Sequence, residues 1–204
     1  MIIRQRLRRT ATALATAIIV PLGLLATGTT ASAAEPTDSA DSAATAAAAT
    51  YKGRVTAGIN VRSAPTSAAS KVGSYAAGAV ITIQCKVYGP SVSGNSLWYK
   101  LATGRWVSAR YVANIGTAPR FCGDGKEYTG RVSSSTALAV RSGPTTANAK
   151  VSSIPSGARM SIVCKVDSQN VSGNRRWYQL SGDGGGQWVS ARYVTNIGAA
   201  PPYC

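Results

Sequence analysis

VSGNSLWYKLATGRWVSARYVANIG (92–116) returns as VSGNRRWYQLSGDGGGQWVSARYVTNIG (171–198). A chain that repeats itself at a long interval repeats a structural unit, so this match governs the reading of everything local. It extends outward in both directions. GRV (53–55) recurs at 130–132, VRSAPT (61–66) as VRSGPT (140–145), KV (71–72) at 150–151, Gly78 as Gly157 and CKV (85–87) at 164–166; each copy closes on Ala, Pro, an aromatic and Cys. The offset grows from 77 to 79 to 82, through two residues added in SSSTAL (133–138) and three in the glycine run GDGGGQ (182–187). Insertions confined to turns leave the flanking elements of a common fold intact.

Each copy reads as all-β. Ile81, Ile83, Cys85 and Val87 alternate with polar or smaller residues, and Met160, Ile162, Cys164 and Val166 keep the same face, the period of a half-buried strand. GRVTA, KVGSYA, AVITIQCKV, LWYKLA and RWVSA are separated by the turn signals SAPTS, AAG, GPSVSGN and TG. The spacing predicts about five short strands per copy, closed into a small barrel. The organisation expected is a first domain at 51–122, a connector GDGKE at 123–127 and a second domain at 128–204. Domains this small need a staple. Cys85, Cys122, Cys164 and Cys204 stand at matched places, so each copy is expected to close itself through Cys85–Cys122 and Cys164–Cys204.

Residues 1–34 carry four arginines in the first nine positions, an apolar run from Ala11 to Ala26 interrupted by Pro21, and a small-residue end with Ala31-Ser32-Ala33. This reads as a secretory signal peptide; the run is shorter than the roughly 20 residues a spanning helix needs. Arg8-Arg9 suggests twin-arginine export, but Thr10 and Ala11 do not supply the large apolar pair, which favours the ordinary Sec route. No lipidated cysteine stands in the leader and PPYC at the end carries no apolar tail, so no membrane anchor is expected after processing. Residues 35–50 form an Ala/Ser/Thr tract without aromatics, read as a disordered linker. The protein is thus expected outside the cell.

Composition excludes most enzymes. The chain has no His, which removes Ser-His-Asp and Cys-His chemistry and His-ligated zinc, and its cysteines lack the C-x2-C spacing of a metal knuckle. Of the seven acids, Glu35, Asp38 and Asp41 fall in the linker. The other four, Asp124, Glu127, Asp167 and Asp183, occupy no position shared by the two copies, so there is no duplicated carboxylate pair for glycoside hydrolysis. No Lys follows a Ser by three residues, which removes the S-x-x-K dyad. Catalysis, metal and cofactor are all expected to be absent.

NVRSAPT, SLWYKL and RWVSARYV in one copy, with AVRSGPT, RRWYQL and QWVSARYV in the other, resemble the bacterial SH3 domain family, whose pattern runs V-R-S-G-P, a central W-Y strand, then G-W-V and Y-V. Two copies cover essentially all of the folded chain. The resemblance implies two tandem half-open SH3-like barrels, each with an RT-like loop, here around 58–70, on a protein that targets peptidoglycan or its peptides. The sequence departs from the pattern where Arg105 and Gln187 stand in place of the G-W-V glycine.

Binding candidates are exposed-type residues shared by both copies: Trp98, Tyr99, Tyr111, Arg62 and Arg110, matched by Trp177, Tyr178, Tyr193, Arg141 and Arg192. Successive strand residues point to opposite faces, so one member of each W-Y pair is expected in the core and the other on a face or groove. Trp106 and Trp188 read as packing aromatics. Arg beside Tyr and Trp suits the carboxylates and sugar faces of wall peptides and glycans. From Tyr51 on, 18 Lys and Arg oppose 4 acids, which would draw the protein to anionic wall polymers. The expected partner is therefore the bacterial cell wall, peptidoglycan or its anionic polymers, with no physiological nucleic acid. The alternative is an extracellular protein- or peptide-binding module, such as an inhibitor or regulator of a secreted hydrolase, whose partner is then a secreted protein.

Overall fold

The computed structural model describes residues 49–182 and 186–204. The leader, nearly all of the linker and Asp183 lie outside the described residues. The first copy contains β1 (Tyr51–Val55), β2 (Ile59–Arg62), β3 (Lys71–Tyr75), β4 (Val80–Val92), β5 (Asn95–Leu101), β6 (Trp106–Ser108) and, after a 3-10 turn at Ala109–Tyr111, β7 (Val112–Ile115). The second repeats them as β8 (Tyr128–Val132), β9 (Leu138–Arg141), β10 (Lys150–Ile154), β11 (Arg159–Val171), β12 (Asn174–Leu180), β13 (Trp188–Ser190), a 3-10 turn at Ala191–Tyr193 and β14 (Val194–Ile197). The sheet orders are β3-β2-β6-β5-β4-β1-β7 and β10-β9-β13-β12-β11-β8-β14, two curled half-barrels of one topology.

Each half-barrel has seven strands rather than about five. The additional ones are β2, inside the segment read as the RT-like loop, and β7, which pairs with β1. In both copies the expected disulfides are formed, Cys85–Cys122 and Cys164–Cys204.

The longest strands explain how the two halves are built. β4 and β11 serve two neighbours each, β1 and β5 or β8 and β12, and shift register between Ile83 and Cys85 and between Ile162 and Cys164. Such bulges bend a strand and re-aim its side chains. Ile81 and Ile83 accordingly lie in the first barrel's own core with Val55, Leu101 and Val107, and Met160 and Ile162 lie in the second's. Beyond the bulge, Cys85 and Val87 join Cys164 and Val166 in a third core, shared by the two halves, with Trp98, Trp106, Trp177, Trp188 and both disulfides. The described residues, 49–182 and 186–204, accordingly belong to one compact unit.

The shared core corrects the reading of the W-Y pairs. Trp98 and Tyr99 do point to opposite faces, but both faces are covered: Trp98 enters the shared core and Tyr99 the barrel interior, leaving them 2% and 5% exposed. Trp177 and Tyr178 repeat this at 1% and 5%. Trp106 and Trp188 also sit in the shared core, buried as packing aromatics.

Polar groups fix how the halves meet. Trp188 Nε1–H donates to the Tyr88 carbonyl of the other barrel at 3.0 Å. Asn148 Nδ2 donates to Thr66 Oγ1 at 3.1 Å, while Thr145 Oγ1 donates to Asn148 Oδ1 at 2.9 Å, all three side chains buried. Lys100 Nζ donates to the Cys204 carbonyl, and burial pulls the Lys100 pKa below its usual range. Close approach is allowed by Gly143, where the first copy has Ala64: a Cβ there would stand 2.5 Å from Pro90 Cγ of the other barrel and from Asn148 Oδ1. Gly143→Ala, although it restores the first copy's residue, is therefore expected to destabilise the protein by about 1–3 kcal/mol through overpacking. Urea unfolding checks this. One transition with a lowered midpoint is expected, and two separate transitions would contradict a shared core.

Candidate functional site

A groove runs along each barrel between the segment preceding β2 or β9, the end of β4 or β11, and the 3-10 turn. In the first barrel it is lined by Gly58, Ile59, Asn60, Arg62, Ser67, Val92, Trp98, Ser108 and Tyr111. All nine have their counterparts in the second groove: Ala137, Leu138, Ala139, Arg141, Thr146, Val171, Trp177, Ser190 and Tyr193. A duplicated surface at equivalent positions on two barrels is the site the fold offers twice.

Local chemistry shapes it. Ser108 and Ser190 cap the 3-10 turns by accepting from the backbone N–H of Arg110 and Arg192, which sets Tyr111 and Tyr193 half-buried at the groove wall. Trp98 and Trp177 form the floor, each indole pinned by donating to a carbonyl on the adjoining strand, Pro90 at 3.0 Å and Gln169 at 2.9 Å. Arg62 Nη1 donates to Ala69 O at 2.9 Å, and Arg141 Nη1 to Thr146 O and Asn148 O at 3.0 and 2.9 Å. These arginines thereby hold the following loop against the groove while keeping a cation at its side.

The two grooves differ in size, about 130 Å³ against about 610 Å³. The two residues added in SSSTAL account for part of this, because Ser133, Ser134, Ser135 and Thr136 line the second groove and extend it. In the first, Tyr111 Oη and Ser93 Oγ lie 3.3 Å apart and draw one end together.

The grooves gather Arg62, Trp98 and Tyr111 in one copy and Arg141, Trp177, Tyr193 and Arg192 in the other. Tyr99 and Tyr178 are not groove residues; Tyr99 Oη instead donates to Asn114 Oδ1 at 3.0 Å within the barrel. Arg110 is exposed outside the first groove. Val92, Val171 and the serine insertion were not singled out by the sequence, although the insertion marked itself as a break in the repeat.

The described acids are engaged structurally. Asp124 accepts from Tyr128 Oη at 2.7 Å and from the Lys126 amide at 3.1 Å, and these bonds hold its carboxyl below the usual range. Glu127 is held low by the hydroxyls of Ser181 and Ser161. A general acid needs the opposite shift.

The model of the bacterial SH3 domain family matches residues 136–195. No curated protein matches the chain. Among solved structures, an endolysin LysPBC5 CBD is 12% identical, covering 72% of this chain and 93% of that one, with a TM-score of 0.26. A putative autolysin from Listeria monocytogenes is 18% identical over 74% of this chain and 64% of its own, at a TM-score of 0.25, and NlpC2 from Trichomonas vaginalis is 12% identical over 73% and 49%, at 0.26. Residues 136–195 match the bacterial SH3 domain family, and the first barrel repeats the strand order and the bulge of the barrel that contains them.

Proposed function

We propose that the chain is an exported, noncatalytic binding protein of the bacterial cell wall, and that the duplicated groove is its recognition surface. The observation that carries this reading is the correspondence of all nine groove positions between two barrels of one topology, one of which matches the bacterial SH3 domain family. A Tyr at the wall, held against a buried Trp floor, and an Arg at the side suit a peptide with free carboxylates attached to a sugar, since the guanidinium pairs the carboxylate while the tyrosine ring covers an apolar face. Two such sites on one rigid unit gain avidity where the wall presents its ligand repeatedly.

Titration of the isotope-labelled protein with soluble muropeptides, a disaccharide bearing its stem peptide, tests the reading. Amide shifts are expected at Arg62, Tyr111, Arg141 and Tyr193. Tyr111→Ala together with Tyr193→Ala is expected to weaken binding about tenfold or more. If muropeptides leave these amides unmoved while a secreted hydrolase shifts them, the groove belongs to a protein partner instead.

A further inference from the structure

Where the two half-barrels meet, a second concavity of about 830 Å³ opens, separate from the grooves apart from sharing Arg192. Arg105 of the first barrel faces it together with Arg175, Arg176 and Arg192 of the second. Among the described residues the only acid in its lining is Asp167, which already accepts from Tyr203 Oη at 3.3 Å. Ser63, Ser168, Ser172 and Asn174 add hydroxyl and amide donors.

The origin of these arginines is informative. Arg175 and Arg176 stand where the first copy has Ser96 and Leu97, and Arg105 stands where the second has Gln187; only Arg192 has a counterpart, Arg110. Three of the four cations are therefore departures from the internal repeat, scattered over both copies in sequence, and docking of the barrels brings them to one cleft. Packing does not require them, since the other copy folds with neutral residues at the same places.

We infer that this cleft binds a phosphodiester-linked polyol chain, the chemistry of anionic wall polymers. Four guanidiniums around one cleft match several anions better than one, and each planar fork can take two oxygens of a phosphate. The lining has no Trp, Tyr or Phe. Binding of single-stranded nucleic acid relies on aromatic rings against which bases stack, so a chain of phosphates without bases is the better fit. The inference rests on the cell-wall reading above but uses a different surface.

The test is calorimetric titration of the full chain with poly(glycerol phosphate) across a salt series. Arg105→Gln, Arg175→Ser and Arg176→Leu together install the other copy's residues. This triple variant is expected to bind at least about tenfold more weakly at low salt, with a slope of log K against log salt smaller by about 2. A control removes the same charge from Arg54, Arg131 and Arg159, exposed on β1, β8 and the start of β11, and is expected to change affinity less than about threefold. Equal losses in the two variants, or tighter binding of single-stranded DNA of the same charge than of the polymer, would overturn the cleft. The triple variant should still bind muropeptides, and the Tyr111→Ala, Tyr193→Ala variant should still bind the polymer. Loss of muropeptide binding alone would thus strike the groove reading and spare this one.

Discussion

Reduction of the two disulfides is expected to destabilise both barrels together. Cys85–Cys122 joins residues 37 apart in sequence and Cys164–Cys204 residues 40 apart. Loop-closure entropy assigns each about 4 kcal/mol, against a typical total of about 5–15 kcal/mol for a folded protein. The bridges also anchor local structure. Each clips an end segment beside β4 or β11, where Lys86 N donates to Arg120 O and Cys122 N to Lys86 O, at 2.8 and 2.9 Å. Lys165, Pro202 and Cys204 repeat that ladder. The end segments carry Phe121 and Tyr203 over the ammonium groups of Lys86 and Lys165, 4.8 and 4.9 Å from the ring centres. Equilibrium denaturation with and without reductant measures the effect. Loss of half or more of the unfolding free energy is expected, and an unchanged midpoint would contradict a stapled shared core.

Trp188→Ala is expected to cost about 3–5 kcal/mol, the cost of emptying a buried aromatic site. Trp188 is fully buried, and its indole N–H is spent on a carbonyl of the other barrel. Truncation therefore opens a cavity and leaves the Tyr88 carbonyl without that donor. Trp188→Phe keeps most of the packing and loses the bond, at about 1–2 kcal/mol. Thermal or urea unfolding distinguishes the two, and near-equal stability of Trp188→Ala and wild type would place this residue on a surface. Trp98 and Trp177 belong to the same core, so their truncation tests folding rather than recognition. Binding experiments are better served by Tyr111 and Tyr193, at the groove wall.

The strands, the bridges and the doubling of the fold were legible because they follow from period two and from residues that recur. Ile81 to Val87 and Met160 to Val166 alternate as written, and the cysteines pair as the repeat requires. The shared core was not legible in the same way. Alternation says that Trp98 and Tyr99 face opposite sides, but whether the second side meets solvent or another barrel depends on docking, which leaves no period in a sequence. Its trace lies in the exceptions to the repeat: Gly143 for Ala64, Asn148 for Ala69, Gln179 for Lys100. The first two make room and a hydrogen bond across the boundary. The site was partly legible, because Tyr111, Tyr193 and the paired arginines recur, whereas Tyr99 and Tyr178 recur for packing. Residues shared by two copies record whatever both copies need, and a core needs its aromatics as much as a groove does.

The central claim is that the grooves recognise the wall itself, beyond the attraction of a cationic protein to a polyanion. Its most direct measurement is retention of the full chain on purified sacculi stripped of phosphopolymers, at about 0.5 M salt, where attraction between exposed charges is heavily screened. Wild type is predicted to be retained and the folded Tyr111→Ala, Tyr193→Ala variant to wash through. Equal retention of both, or release of both, would contradict the claim.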